Sequence, residues 1–241
     1  MSAVDVPVPV TIHRVTNLDL WVGDHVWPFA DKRREEIDAH FAQRQAEQPK
    51  LWNGRVLLGR QPRFDGVYFS AEYFETDFAS FMAWRDWGFP DVSVFNGFGM
   101  GVIRASDGAI VLGVMGPHTA NAGKVYFAGG TPDPSDVRNR RLEIASSVAR
   151  EVKEETGLSR LDYHAADHWH CVEAGSLVAM LRVLDVDQPG DALKARIETF
   201  LAREAHPELS GVHLVRSKAD FLPTMPRFVT AYLTMLLHGD D

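Results

Sequence analysis

Apolar and polar side chains alternate over residues 8–23 (VPVTIHRVTNLDLWVG), many of them β-branched, which predicts strand. The charged stretch Asp31–Gln48 carries Ile37 and Phe41 at helical spacing and reads as an amphipathic helix. Asn53-Gly54 and Asp65-Gly66 are turn signals beside the short apolar runs 56–58 and 67–69, as in small antiparallel strands. Residues 74–87 read as a second helix, ended by Pro90. From Val92 the pattern becomes two strand-like runs joined at Ser106-Asp107-Gly108, a hairpin signal. Gly123–Phe127 is a further strand, and residues 131–136 (TPDPSD) form a loop. Over Arg141–Glu155, Ile144, Val148 and Val152 recur at steps of four, and Gly157 stands where a left-handed cap would end that helix. Strand 177–186, helix 192–205, strand 211–216 and a closing helix 227–237 complete the chain. Strands and helices are mixed without strict alternation, which predicts an α+β fold rather than a doubly wound parallel sheet.

With 45% hydrophobic and 24% charged residues over 241 positions, the chain can bury a large core, so disorder and fibrous folds are excluded. Its formal charge of −8 disfavours a nucleic-acid partner, and an anionic small molecule would need a metal ion or a local basic patch. The one cysteine, Cys171, rules out an intrachain disulfide and fits a reducing compartment. No secretion signal or bilayer-length apolar run is present, so a cytoplasmic protein without a membrane is expected.

The chemistry concentrates at the end of the most strongly patterned helix, Arg150-Glu151-Val152-Lys153-Glu154-Glu155-Thr156-Gly157-Leu158. Glu151 lies three and four residues before Glu154 and Glu155, so the three carboxylates share one face. They repel one another and sit where the helix dipole favours cations, so two electrostatic costs call for a compensating positive charge. Hard divalent cations take oxygen ligands of this kind. An acidic surface balanced by Arg150 and Lys153 is the plainer alternative.

The string REVKEETGL resembles the second half of the Nudix box (G-x5-E-x7-R-E-U-x-E-E-x-G-U, U aliphatic) of the MutT-like Nudix hydrolases, matching every defined position. The preceding Phe127-Ala128-Gly129-Gly130, loop and helix resemble that family's strand, loop and helix. The first half departs from the box: Leu142 stands where it has glutamate and Asp136 where it has glycine. Keeping Gly130 as the box glycine leaves 19 residues before Arg150 instead of 13, a loop about six residues longer. Glu143, Asp133 or Asp136 would then replace the lost carboxylate as partner of Arg150.

The resemblance implies a Nudix-type α/β/α sandwich with a mixed sheet over 92–241, and an α+β N-terminal segment, 1–91, packed on it. It implies Mg²⁺ (or Mn²⁺) held by Glu151, Glu154, Glu155 and the Gly129 carbonyl, Arg150 orienting a carboxylate, and metal-activated water cleaving a diphosphate linkage. Glu208 is the candidate for an extra ligand or general base, with Glu173 next. The N-terminal segment, the long loop, Trp52-Asn53-Gly54 and Asn96-Gly97-Phe98-Gly99 resemble the nucleoside-diphosphate-sugar branch. UDP-sugars therefore lead, ahead of ADP-ribose, dinucleotides and coenzyme A. A homodimer is compatible with the family, and a non-catalytic ligand sensor or interaction domain is the alternative to an enzyme. His164, His168, His170 and Cys171 carry zinc donors, but their spacing fits no ligand pattern and they read as ordinary strand residues. Phe78, Phe81 and Trp84 read as core or interdomain packing rather than a base-stacking platform.

Overall fold

The computed structural model describes residues 9–119 and 121–239; the start of the expected first strand, Val8, lies outside them. In chain order, β1 (Val10–Val15), β2 (Asn17–Val22), α1 (Pro28–Lys32), α2 (Arg34–Glu47), β3 (Arg55–Asp65), β4 (Tyr68–Asp77) and α3 (Phe78–Asp86) come first. Then follow β5 (Val94–Ala105), β6 (Ile110–Met115), β7 (Val125–Tyr126), β8 (Ala128–Gly130), β9 (Val137–Arg138), β10 (Arg141–Leu142) and α4 (Ile144–Thr156). The remainder is β11 (His164–Ala165), β12 (Trp169–Ala174), β13 (Leu177–Val186), α5 (Gly190–Leu201), β14 (Leu209–Val215) and α6 (Arg227–His238). The fold is α+β with a mixed sheet. Among the described residues no helix is long and apolar enough to cross a membrane.

The first expected strand is two strands. Thr16 and Asn17 both donate their amides to the Val67 carbonyl, and the chain turns there. β1 pairs antiparallel with β12, whereas β2 pairs parallel with β4, so residues 10–15 of the N-terminal segment lie in the sheet of the C-terminal part. β5 is the shared strand: Val94 and Phe95 pair with β3, and residues 96–105 run parallel to β13. The expected helix over 74–87 begins only at Phe78. Residues before it alternate in burial as β4, and Asp77 caps α3 by accepting the Ser80 amide at 2.9 Å. Phe74 at helical distance from Phe78 imitates a turn of helix, while its real partner is Leu58 across the β3–β4 ladder.

Side chains alternate across β5 and so place helices on both faces. An ideal Cβ on Gly99 would lie 2.7 Å from Ile144 and Val148, and one on Gly101 2.5 Å from Val152, so these glycines let α4 lie directly on the strand. On the opposite face Phe98 packs edge-on against Phe228 of α6, ring centroids 5.8 Å apart. A second apolar core, with Ile37, Phe41, Leu58, Phe74, Met82 and Trp84, lies between α2, α3 and the outer face of β3 and β4.

Candidate active site

Ile144, Val148 and Val152 are buried against the sheet, and this stripe fixes which face of α4 carries the carboxylates. Gly157 ends the helix at φ 73°, its amide bonding the Lys153 carbonyl at 2.9 Å, and a Cβ there would meet Phe200 at 2.7 Å. At Gly129 the backbone passes so close to β5 that a Cβ would fall 2.3 Å from the Gly99 carbonyl oxygen. That approach lets the Gly129 amide donate to Glu155 Oε1 at 3.3 Å.

Glu155 is 4% exposed, and its other oxygen, Oε2, is buried with no hydrogen-bond partner. Burial, then the charges of Glu151 and Glu208, push its carboxyl well above the usual carboxylate range. Glu151 is pushed up to about 7 by burial first, with Glu154 and Glu208 adding and Arg150 opposing. Glu154 instead points outward, its side chain 60% exposed, toward Arg150 at 3.4 Å.

Arg150 settles the question that the altered box leaves open. Its Nη2 donates to both Asp136 oxygens at 3.1 Å, and its Nη1 to Glu151 at 2.7 Å. Burial works against its charge, but the Asp136 hydrogen bond and the surrounding carboxylates raise its pKa overall. Asp136 is 6% exposed and also accepts from Ser147 Oγ at 3.1 Å and the Asp133 amide at 3.2 Å. Leu142, at the box-glutamate position, is buried in the main core, and the lengthened loop brings Asp136 to the arginine instead. Glu143 is exposed and precedes the first turn of α4, and Asp133 caps the short turn at Pro134–Asp136.

A cleft of about 950 Å³ opens beside these groups, lined by Gly129, Gly130, Glu151, Glu155 and Glu208. Glu154 and Glu208 also line a neighbouring depression beside Arg150 and Lys153. Glu173 does not face the cleft; it lies on β12 against His13 at 3.5 Å. The cleft's other wall is one that sequence reasoning missed. Alternation on β5 turns Asn96, Phe98 and Met100 into it, and α3 contributes Phe78, Phe81 and Arg85. Trp84 is fully buried core, as the aromatic stripe predicted, but its neighbours on the helix border the cleft. Lys50, Lys124 and Arg227 also line the cleft.

Among the described residues no set of three or more His, Cys, Asp or Glu side chains is gathered tightly enough, as they stand, to hold a metal ion. Glu151 and Glu154 are drawn to Arg150 rather than to a common centre. The donor chemistry nonetheless fits a hard cation: the oxygens are carboxylate, one is buried without a partner, and the pair is held at the cost of mutual repulsion. The His168 and His170 rings meet edge-on with centroids 5.0 Å apart, but the four residues form no metal-holding group among the described residues. Cys171 and His170 are neighbours on β12 and face opposite sides, and His170 Nδ1 bonds Tyr232 Oη at 3.0 Å.

No family model matches the sequence, and no curated protein matches it. Similar solved structures include a Nudix hydrolase from M. smegmatis, RenU, with 16% identity and TM-score 0.41, spanning 61% of this chain and 88% of that one. A MutT protein from Methanosarcina mazei has 18% identity and TM-score 0.36, over 61% of this chain and 96% of its own. A bifunctional NMN adenylyltransferase/ADP ribose pyrophosphatase from Francisella tularensis has 13% identity and TM-score 0.42, over 67% of this chain and 46% of its own. The chain is thus similar to Nudix proteins of known structure, and at these identities the similarity assigns no residue a role.

Proposed function

We propose that the chain is a divalent-cation-dependent pyrophosphohydrolase that cleaves the diphosphate linkage of a nucleoside diphosphate joined to another moiety, such as a UDP-sugar or ADP-ribose. One observation carries this reading. Glu151, Glu155 and Glu208 face one cleft, and a buried Glu155 oxygen lacks any partner there, an arrangement that costs stability unless a cation or substrate compensates it. Glu151, Glu154, Glu155 and the Gly129 carbonyl would hold Mg²⁺ or Mn²⁺. When bound, the cation would offset phosphate charge and acidify a water. Arg150, anchored by Asp136, keeps Glu151 in place. Glu208, exposed at the cleft, takes the proton from the attacking water. The anchored Arg150 favours an enzyme over a non-catalytic sensor, because the lost box glutamate has a replacement.

The test is phosphomonoester release from UDP-glucose, ADP-ribose, NADH and coenzyme A with Mg²⁺, for the wild type beside Glu154→Gln. Cleavage of one compound, lost or sharply reduced in the variant, supports the reading. An inert wild type with both Mg²⁺ and Mn²⁺ overturns it for these substrates.

A further inference from the structure

The site's second wall comes from outside the stretch that carries the carboxylates. Phe78, Phe81 and Arg85 stand at i, i+3 and i+7 on α3, which aligns them on one face of that helix, and all three line the cleft. The Phe78 and Phe81 rings are 5.8 Å apart, and the Arg85 guanidinium lies 5.9 Å from the centre of the Phe81 ring. Ala79, Met82, Ala83 and Trp84 are buried in the second core, as is most of Phe81 (5% exposed), so the helix is anchored from behind.

Phe89 completes the wall, and it does so in an unfavourable backbone conformation. Its φ is +60°, in the left-handed region that a bulky side chain rarely occupies. The conformation is held by its amide bond to the Trp84 carbonyl at 2.9 Å and by edge-on contact with the Trp84 ring at 4.7 Å. Strain of this kind, spent on aiming an aromatic ring into a cleft, marks functional surfaces. Phe78 and Phe89 are only half-buried, so their rings present area to a ligand. The charge of Arg85 also reaches Tyr126 beside the carboxylates; burial chiefly pushes that phenol up, and Arg85 is one of the groups that oppose it.

We infer that the α3 face Phe78/Phe81/Arg85, with Phe89, is the specificity-determining wall of the cleft, and that it takes a planar aromatic base by stacking. The N-terminal segment would therefore complete the site rather than merely abut it. The inference rests on the proposed function for the identity of the rest of the ligand, but the stacking itself needs neither a cation nor turnover. It excludes diphosphate ligands that carry no aromatic base, because an alkyl chain or a polyol alone gains little from a π face.

Uncharged nucleosides test it directly. Adenosine, guanosine, uridine and cytidine are compared with ribose in EDTA by saturation-transfer NMR on the full chain. At least one nucleoside is expected to bind through its base protons while ribose does not. Phe78→Leu, which keeps apolar volume but removes the ring, should weaken that binding about tenfold, and Phe78→Tyr should retain it. No binding by any of the four, or equal affinity in wild type and Phe78→Leu, overturns the inference. Base-dependent binding without hydrolysis of any diphosphate would sink the proposed reaction and leave the wall standing. Hydrolysis without base dependence would do the reverse.

Discussion

Replacing Glu151 with glutamine should stabilise the metal-free protein, and only above the pH at which Glu151 ionises. In the folded chain its carboxyl is raised from 4.5 to about 7, chiefly by burial. The folded state therefore holds a proton that the unfolded chain has already released, and stability falls as pH rises from about 4.5 to about 7. At 1.36 kcal/mol per pH decade the full penalty above that window is about 3 kcal/mol, an upper figure because Glu155 shares the repulsion. Glutamine carries no charge and keeps an oxygen for Arg150, whose Nη1 donates to Glu151 at 2.7 Å. Calorimetry in EDTA should then show Glu151→Gln melting roughly 4–10 °C above wild type at pH 8, with the gap closed at pH 4.5. Saturating Mg²⁺ at pH 8 should narrow the gap, since the wild type gains more from a bound cation. A gap of equal size at both pH values, or a less stable variant at pH 8, would refute the reasoning that buried charge, rather than packing, sets this cost.

Asp136→Asn leaves Arg150 without its buried anion and should lower stability by about 2 kcal/mol and activity with it, whereas Glu143→Gln, on the surface, should change neither; thermal melts and turnover of both variants check this. Gly99→Val drives a side chain into Ile144 and Val148, so α4 must lift from β5 at a cost of about 3 kcal/mol, read as a lower urea midpoint with an unchanged slope. Glu208→Gln should reduce kcat, while Glu173→Gln, paired with His13 away from the cleft, should behave as wild type.

The helical stripe of α4, its Gly157 cap and the carboxylate face were legible because each is a local pattern whose meaning does not depend on distant chain. The partner of Arg150 was not, since three acidic residues in a long loop are equivalent until the fold selects Asp136. Residues 96–99 look distinctive in sequence for a reason that only the sheet reveals: Gly99 makes room for α4, Gly97 for the Tyr73 side chain, and Asn96 and Phe98 line the cleft. The start of α3 was misplaced because Phe74 satisfies helical spacing and strand alternation equally, and Asp77, the cap that decides, was overlooked. The aromatic wall was hidden by the general rule that such stripes are core, which holds for Trp84 and for Phe81, buried in the second core though it also borders the cleft, and is incomplete for the half-buried Phe78.

The central claim is that the cleft carboxylates hold a divalent cation. Titration with Mn²⁺ at pH 8, following the free ion by electron paramagnetic resonance, tests it most directly in wild type, Glu155→Gln and Glu173→Gln. The account predicts that wild type and Glu173→Gln withdraw Mn²⁺ from solution alike and that Glu155→Gln loses at least tenfold in affinity. Equal Mn²⁺ binding by all three proteins, or none by the wild type, would contradict it.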